Sequence, residues 1–227
     1  MSTQDNKKVL ILGGTGRTGK YVVTEALEEG FEVNCLVRRV PKFAPKHERL
    51  THIVGTPYEK DNLTRAIHGC QLVIIALSIS RNSEFPWSQL RSPRDLLSRS
   101  MENVLTCSEI KNIERIVICS AWGVGESRKD IPFWFDLLIE HSNIKPAYDD
   151  HYTQEELLEH SDLDWVIVRP VGLTNSTQKK VIRESFDNEP KPFLTISRKN
   201  VAQYLVKALR KPELSRKKVV ISENYLK

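Results

Sequence analysis

The sequence predicts an α/β fold with a doubly wound parallel sheet, because short apolar runs alternate with helical patterns along almost all of its 227 residues. The apolar runs show little alternation with polar residues, which is typical of strands that helices cover on both faces. Strands are predicted at 8–12, 32–37, 51–54, 72–77, 115–120, 164–169 and 218–222, and helices at 18–29, 61–68, 94–111, 150–160 and 199–210. A chain of this length accommodates one sizeable domain, so residues 1–227 are interpreted as a single domain.

Two long segments, 78–93 and 122–148, interrupt the alternation of strands and helices. Each follows the carboxyl end of a predicted strand, which is the edge where open α/β sheets bind ligands. We therefore expect both segments, together with the C-terminal part of the chain, to shape a substrate site. The aromatic residues of the second segment are interpreted either as core or lid, or as a stacking platform for a planar substrate: Trp122, Phe133, Trp134 and Phe135.

Composition and charge argue against several classes of protein. The net charge is +5, but the basic residues cluster at 38–49 and 210–218 and do not interleave with aromatic residues along a helix, so no nucleic-acid partner is expected. No apolar run approaches the ~20 residues of a membrane span, and residues 1–8 lack the apolar core of a signal peptide, so we expect a cytoplasmic protein without membrane contact. Neither a disulfide nor a metal site is expected from the spacing of the four cysteines, Cys35, Cys70, Cys107 and Cys119.

A glycine-rich stretch, GGTGRTG, follows the first predicted strand and precedes the first helix. In this position Gly13 permits a tight turn, Gly16 lets a diphosphate approach the backbone, and Gly19 lets the helix pack closely. The positive end of the helix dipole then faces the phosphates. The alternative is a purely structural turn, but the placement between a strand and a helix favours dinucleotide binding.

The end of the second predicted strand selects the form of the dinucleotide. An acidic residue at this place would bind the ribose hydroxyls of NAD, but the chain has Arg38 and Arg39 instead. Guanidinium groups form charge-assisted bonds to a 2′-phosphate, and Arg17 is a second candidate for the same phosphate. The sequence therefore favours NADPH over NADH, with a solvated basic strand end as the alternative.

Three motifs together resemble the atypical short-chain dehydrogenase/reductase family: GGTGRTG, the VRR after the second strand, and DLDWVIVRPVGLT at 162–174. Within that family the chain is similar to the NmrA-like group, which includes biliverdin-IXβ reductase, also known as flavin reductase. The resemblance extends from Lys8 to about Ser222. It implies a single Rossmann domain with a small C-terminal portion over the substrate, and NADP(H) as the cofactor.

The resemblance also implies which residues contact the cofactor. The segment after the third strand would flank the adenine, and the segments after the fourth and sixth strands would lie beside the nicotinamide ribose and the nicotinamide. In chain order, the implied contacts are Gly13, Thr15, Gly16, Arg17 and Thr18 for the diphosphate, Arg38 and Arg39 for the 2′-phosphate, Thr56 and Pro57 for the adenine, Leu77 and Ser78 for the nicotinamide ribose, and Pro170, Val171, Gly172 and Leu173 for the nicotinamide.

The acid of the usual short-chain dehydrogenase is absent from this chain. The family carries Tyr-x-x-x-Lys, but here His151 matches the lysine and Ala147 matches the tyrosine. Tyr148 is one position away, which on a helix points about 100° off. Ordinary alcohol or ketone chemistry is therefore not expected.

Two polar residues remain as candidate catalytic groups. Ser120 ends the fifth strand, where the family has its serine, and His151 is expected to begin a helix and to titrate near neutral pH, where it could donate a proton or bind the cofactor ribose. The alternatives are a serine that satisfies backbone groups, and a histidine at a helix start capped by Asp149 or Asp150. Asp150 and Glu155 are interpreted as acids on a helix surface.

Two functions follow from these observations. The first is an NADPH-dependent reductase that acts on a planar conjugated small molecule such as a flavin, a quinone or a tetrapyrrole, for which orientation supplies much of the rate. The second is a non-catalytic NADP(H)-binding sensor that reports the redox state of its cofactor to a protein partner. The missing tyrosine favours the sensor, whereas Ser120, His151 and the aromatic segment favour the reductase.

Overall fold

An eight-stranded sheet lies at the centre of the computed structural model, which describes residues 7–42, 46–178 and 180–225. The strands are β1 (Lys8–Leu12), β2 (Glu32–Val37), β3 (Leu50–Val54), β4 (Leu72–Ile75), β5 (Arg115–Cys119), β6 (Trp165–Pro170), β7 (Gly172–Thr174), β8 (Lys180–Ser185), β9 (Thr195–Ser197) and β10 (Lys217–Tyr225). The helices are α1 (Gly19–Glu28), α2 (Lys60–Ala66), α3 (Leu96–Lys111), α4 (Phe133–Glu140), α5 (Lys145–Glu159) and α6 (Arg198–Ala208), with 3-10 turns at Gly125–Asp130 and Pro212–Leu214.

The strand order of the main sheet is β3-β2-β1-β4-β5-β6-β10-β8, and β8 alone among these described strands runs antiparallel to its neighbour. The chain reverses its direction across the sheet between β1 and β4, which pair with each other. A crevice forms at the carboxyl ends of the strands at such a switch point. The predicted doubly wound parallel fold is therefore confirmed, with β7 and β9 forming a separate small parallel sheet.

Strand β1 shows why its apolar run lacks alternation. Val9 and Ile11 face the core shared with α1 and α6, whereas Leu10 and Leu12 face the core on the side of α2, α3 and α5. All four side chains are completely buried. Successive side chains of a strand point to opposite faces, so a strand covered on both faces needs apolar residues at every position.

All seven predicted strands and all five predicted helices occur in the described part of the chain, but four elements were not predicted. Strands β7 and β9 have three residues each, β8 is a half-exposed edge strand with the mixed sequence KVIRES, and α4 lies within the aromatic segment. The predicted start of α5 at residue 150 is also wrong. The helix begins at Lys145, because Pro146 lies in the first turn, where a missing N–H costs nothing.

Two observations concern the expectations about membrane spans and cysteines. No helix in the described ranges is both long and apolar enough to cross a bilayer. The four cysteines carry free thiols, of which those of Cys35, Cys70 and Cys107 are buried.

Candidate functional site

The glycine turn lies at the switch point between β1 and β4. Gly13 has a φ of 86°, and a Cβ atom at this position would overlap the carbonyl oxygen of Ala76, which follows β4. A Cβ atom on Gly19 would overlap the carbonyl oxygen of Gly13. Gly13 therefore makes the tight turn that was expected, and Gly19 lets α1 pack against the turn itself.

Gly14 is a third sterically required glycine, which the sequence analysis did not identify. A Cβ atom there would overlap Sγ of Cys35 in β2 and lie 3.0 Å from Val23 of α1. Burial raises the pKa of the Cys35 thiol to about 11, so this side chain packs as a neutral group. The adjacency of Gly13 and Gly14 in the sequence could have indicated that this second glycine is also sterically required.

The outer surface of the turn is open. Thr15, Gly16 and Arg17 are exposed, and Thr18 is half-buried. A Cβ atom on Gly16 would approach only the carbonyl oxygen of Gly13, at 3.1 Å, so the space outside Gly16 is free for a ligand. Helix α1 begins at Gly19 without a side-chain cap, and the N–H groups of Lys20 and Tyr21 in its first turn donate to the carbonyl oxygens of Gly16 and Thr18. The positive end of the helix dipole still faces the space outside the turn.

Arg38 and Arg39 follow β2 and are both exposed. Within the described ranges neither guanidinium takes part in a hydrogen bond or an ion pair, in contrast to Arg49, which donates to the carbonyl oxygen of Leu27. Both groups are thus free to bind a phosphate beside the glycine turn.

The residues expected beside the adenine have partners within the protein. The hydroxyl of Thr56 accepts from the N–H of Tyr58 at 3.3 Å, and the carbonyl oxygen of Pro57 accepts from the side chain of Asn103 at 3.0 Å. Pro57 is buried and Thr56 is half-buried, so we expect them to contact an adenine ring mainly by packing and not by side-chain hydrogen bonds.

The residues expected near the nicotinamide lie on two sides of the crevice. Leu77 and Ser78 follow β4, next to the glycine turn. The segment from Pro170 to Leu173 runs from β6 into β7, where Val171 is buried and Gly172 and Leu173 are exposed. The N–H of Trp122 donates to the carbonyl oxygen of Pro170 at 3.0 Å, which places this segment beside the end of β5.

Ser120 lies at this junction of β5 and β6. Its side chain is 5% exposed, and its Oγ atom has no hydrogen-bond partner among the described residues. Only its N–H bonds to the backbone, at 2.8 Å from the carbonyl oxygen of Val168. The alternative of a hydroxyl that satisfies backbone groups is therefore not observed, and the buried hydroxyl lacks a hydrogen-bond partner among the described residues.

His151 occupies the middle of α5, and the expectation that it begins this helix is wrong. Its side chain is 6% exposed, and Nδ1 lacks a hydrogen-bond partner in the part of the chain that the structure describes. Burial lowers the pKa of His151 to about 4, only partly offset by the adjacent Asp150. The imidazole is neutral at pH 7, so the expected titration near neutral pH is also wrong.

Asp150 and Glu155 are buried, which corrects their interpretation as surface acids. The carboxylate of Asp150 accepts from the N–H groups of Leu97 at 2.6 Å and Ser98 at 3.1 Å, so it caps α3 and not its own helix.

Glu155 forms a buried ion pair with Arg169, the residue before Pro170. Nε and Nη2 of Arg169 lie 3.0 and 2.5 Å from the two carboxylate oxygens. Arg169 also donates to Glu126 in the 3-10 turn, at 2.7 and 3.1 Å. Partial burial raises the pKa of Glu126, but the hydrogen bonds and charge of Arg169 outweigh it and lower the pKa to about 2. The sequence analysis missed this cluster, which joins β6, α5 and the 3-10 turn.

Tyr148 does not replace the missing tyrosine acid. Its hydroxyl donates to the carbonyl oxygen of Trp122 at 3.3 Å, and its ring packs against Phe135. Burial raises the pKa of Tyr148 well above its usual value. Ala147, at the tyrosine position, packs with Ile79 and Leu97.

The two long segments are in direct contact with each other. Nε1 of Trp87 donates to the carbonyl oxygen of His141 at 2.7 Å, and Asn143 bonds to the backbone of Pro86 and Trp87. The aromatic residues of the second segment divide between roles: Trp122 is buried, Phe135 packs against the core, and Phe133 and Trp134 are exposed on α4.

Comparison with known proteins places this site in context. The sequence model of a family described as NAD(P)H-binding matches residues 13–212. The chain is 26% identical over 182 residues to oxidoreductase GME11367 of Pestalotiopsis microspora, covering 74% of this chain and 68% of that protein. It is 25% identical over 223 residues to photosystem II assembly factor Ycf39 of Synechocystis, covering 92% of this chain but only 60% of the factor.

Solved structures share the fold. A short-chain dehydrogenase/reductase of Veillonella parvula in complex with NADP has a TM-score of 0.77 at 18% identity, covering 96% of this chain and 94% of that chain. ChuY of Escherichia coli O157:H7, described as an anaerobillin reductase, has a TM-score of 0.75 at 18% identity, and the match covers 97% of this chain and 99% of that chain. At this level of identity the similarity concerns the fold alone.

Proposed function

Because the chain belongs to the NAD(P)H-binding family, as its resemblance to short-chain dehydrogenases/reductases predicted, we propose that it is an NADPH-dependent reductase of planar conjugated acceptors such as flavins, quinones or tetrapyrroles. One observation carries this proposal: the hydroxyl of Ser120, which is buried and has no hydrogen-bond partner among the described residues, lies beside the Pro170–Leu173 segment. The oxidoreductase name of the similar Pestalotiopsis microspora protein supports the same class of reaction.

The residues at the switch point fit the cofactor. Side chains at Gly13, Gly14 and Gly19 would overlap neighbouring protein atoms, whereas the outer surface of the turn is open at Gly16. This shape suits a diphosphate that lies against the backbone of the turn. When bound, NADPH supplies a hydride. The residues proposed to hold it are Gly13, Thr15, Gly16, Arg17 and Thr18 around the diphosphate, Arg38 and Arg39 at the 2′-phosphate, Thr56 and Pro57 beside the adenine, and Leu77, Ser78 and Pro170–Leu173 beside the nicotinamide.

Replacing Arg38 or Arg39 by alanine is expected to weaken NADPH binding by about 10- to 100-fold, because each charge-assisted bond to a phosphate contributes ~1.5–3 kcal/mol. NADH affinity should not change, since NADH lacks the 2′-phosphate. Titration calorimetry with both cofactors measures the difference, and Arg94→Ala, at another exposed arginine, serves as the matched control. Equal affinity of the unmodified protein for NADH and NADPH would refute the assignment.

The acceptor class follows from the groups that the site lacks. A ketone needs a proton at its oxygen as hydride arrives, but Ala147 replaces the tyrosine, and the imidazole of His151 is neutral and buried at pH 7. A conjugated acceptor spreads the incoming negative charge over its ring system and can take its proton from solvent. For such an acceptor, orientation is the main contribution of the protein, and the hydroxyl of Ser120 can donate one hydrogen bond to it.

The reductase activity is tested by following NADPH oxidation with a panel of flavins, quinones and tetrapyrroles. Ser120→Ala is expected to lower kcat/KM by about 3- to 10-fold, the value of one neutral hydrogen bond of ~0.5–1.5 kcal/mol. Ser108→Ala is a matched control, because Ser108 is also buried with an unpartnered hydroxyl but belongs to α3. The variant at Ser108 should retain full activity.

A second candidate function is the non-catalytic sensor. The absence of the tyrosine acid and the neutral state of His151 favour it, since the chain has no tyrosine at position 147 and His151 is not an imidazolium at pH 7. Tight NADPH binding without turnover of any acceptor in the panel would contradict the reductase and support the sensor.

A further inference from the structure

Arg17 of the glycine turn has two further arginines, Arg81 and Arg198, in its electrostatic surroundings, and its ion pair with Glu84 brings the segment that carries Arg81 to the turn. Arg17 belongs to the turn, Arg81 to the segment after β4, and Arg198 is the first residue of α6. Burial lowers the pKa of Arg81 and of Arg198, and the positive charge of Arg17 lowers both further. Arg17 is therefore within electrostatic range of each of the other two guanidinium groups.

The described residues supply one carboxylate to this cluster. Glu84 pairs with Arg17, and both of these side chains are mostly exposed. Neither Arg81 nor Arg198 has an ion-pair partner within the described ranges. Arg198 is 8% exposed and donates from Nη1 to the side-chain oxygen of Asn175 at 2.8 Å, while Nε of Arg81 is buried without an acceptor.

This arrangement is electrostatically unfavourable without an anion. Like charges in a partly desolvated site repel each other, and a buried donor without an acceptor costs free energy. A phosphate or carboxylate would relieve both effects, because guanidinium groups bind these anions with paired, charge-assisted hydrogen bonds.

We propose that Arg81 and Arg198 bind an anionic group on the acceptor, so that the protein selects planar acceptors that carry a phosphate or a carboxylate. This inference rests on the proposed reductase function and narrows its substrate class. It adds a specificity determinant at the mouth of the site, outside the residues assigned to the cofactor.

The position of the two arginines favours the acceptor over the cofactor as the source of the anion. Arg198 directly follows β9, which pairs with β7, and β7 continues the segment proposed to flank the nicotinamide. Its partner Asn175 directly follows β7. Arg81 lies three residues beyond Ser78, proposed at the nicotinamide ribose. Both residues therefore belong to segments that continue from those proposed to lie beside the nicotinamide. The cofactor phosphates have other proposed partners, in the glycine turn and at the end of β2.

Matched ligand pairs test the proposal by binding alone, in the full-length protein saturated with NADP⁺. FMN and riboflavin share one ring system and differ by a phosphate, and biliverdin and its dimethyl ester differ by two carboxylates. We expect the anionic member of at least one pair to bind about tenfold more tightly, and Arg81→Gln or Arg198→Gln to remove most of that advantage without changing the affinity for the neutral member.

Two further variants separate charge from structure. Arg198→Lys keeps the positive charge and should keep most of the preference, and Arg99→Gln, at an exposed arginine paired with Glu102 on α3, should leave every affinity unchanged. Thermal unfolding of each variant reports whether it folds.

The proposal is overturned if neither anionic ligand binds more tightly than its neutral partner. It is also overturned if the substitutions at Arg81 and Arg198 weaken NADP⁺ binding and not acceptor binding, since the cluster would then belong to the cofactor. Because binding is measured without turnover, a preference for anionic ligands in a protein that oxidises no NADPH would count against the reductase function and not against the anion site.

Discussion

Replacing Arg169 by methionine is expected to lower the free energy of unfolding by about 3–5 kcal/mol, the usual cost of removing one partner of a buried ion pair. Arg169 and Glu155 are each 2% exposed, so the substitution would leave the carboxylate of Glu155 buried without its counter-charge. Methionine retains most of the apolar stem of the side chain, which limits the loss of packing. Urea unfolding at pH 7 measures the change.

Two variants isolate the charge effect. In Arg169→Met combined with Glu155→Leu, no buried charge remains, so most of the lost stability should return. Arg99→Met removes an arginine from an exposed pair and should change the free energy of unfolding by less than about 1 kcal/mol. A loss below 1 kcal/mol in Arg169→Met itself would show that the cluster does not hold α5 against β6.

The free energy of unfolding is expected to fall by up to about 3 kcal/mol as the pH drops from about 6.5 to about 4, because of His151. Burial lowers the pKa of this imidazole to about 4 in the folded protein, whereas in the unfolded chain it lies near its ordinary value of about 6.5. Between these values the unfolded state binds the extra proton. The contribution of His151 to the free energy of unfolding is therefore complete above its pKa in the unfolded chain, and it is lost as the pH falls towards its pKa in the folded protein.

Urea unfolding at several pH values tests this expectation. His151→Gln should flatten the pH dependence between 6.5 and 4.5, whereas His68→Gln, at an exposed histidine, should leave it unchanged. The lowered pKa of Glu126 contributes stability that is lost mainly as the pH falls below about 4.5, so most of its effect lies below this window. A slope that persists unchanged in His151→Gln would show that groups other than this imidazole cause the pH dependence.

The main sheet was predictable because its signals are local. Each interior strand is a short apolar run, and each run is separated from the next by a helical pattern. The elements that escaped prediction lack such a signal. Strands β7 and β9 are three residues long and pair across about 20 residues of intervening chain, and β8 lies at the edge of the sheet with one face exposed. Helix α4 exposes Phe133 and Trp134, so its pattern is not that of an ordinary amphipathic helix.

The glycine turn of the candidate site was easier to predict from the sequence than the surroundings of its candidate catalytic residues. The tight glycine turn and the exposed positions of Arg38 and Arg39 were predictable because a turn and a strand end depend on a few adjacent residues, whereas their proposed contacts with the cofactor stay predictions. The environment of His151 was not predictable, because its burial results from the packing of α5 against α3 and the sheet. The same packing brings Asp150 to the start of α3, more than 50 residues earlier in the chain.

The sequence by itself thus determined the fold class, the position of the glycine turn and the absence of a tyrosine at position 147, since each depends on the identity and spacing of neighbouring residues. Only the tertiary structure decided which polar groups are charged or available: His151 is neutral, Asp150 and Glu155 have partners, and the hydroxyl of Ser120 does not. The physical reason is that desolvation and hydrogen bonding arise from contacts between segments far apart in the chain, and these contacts exist only once the helices pack on the sheet.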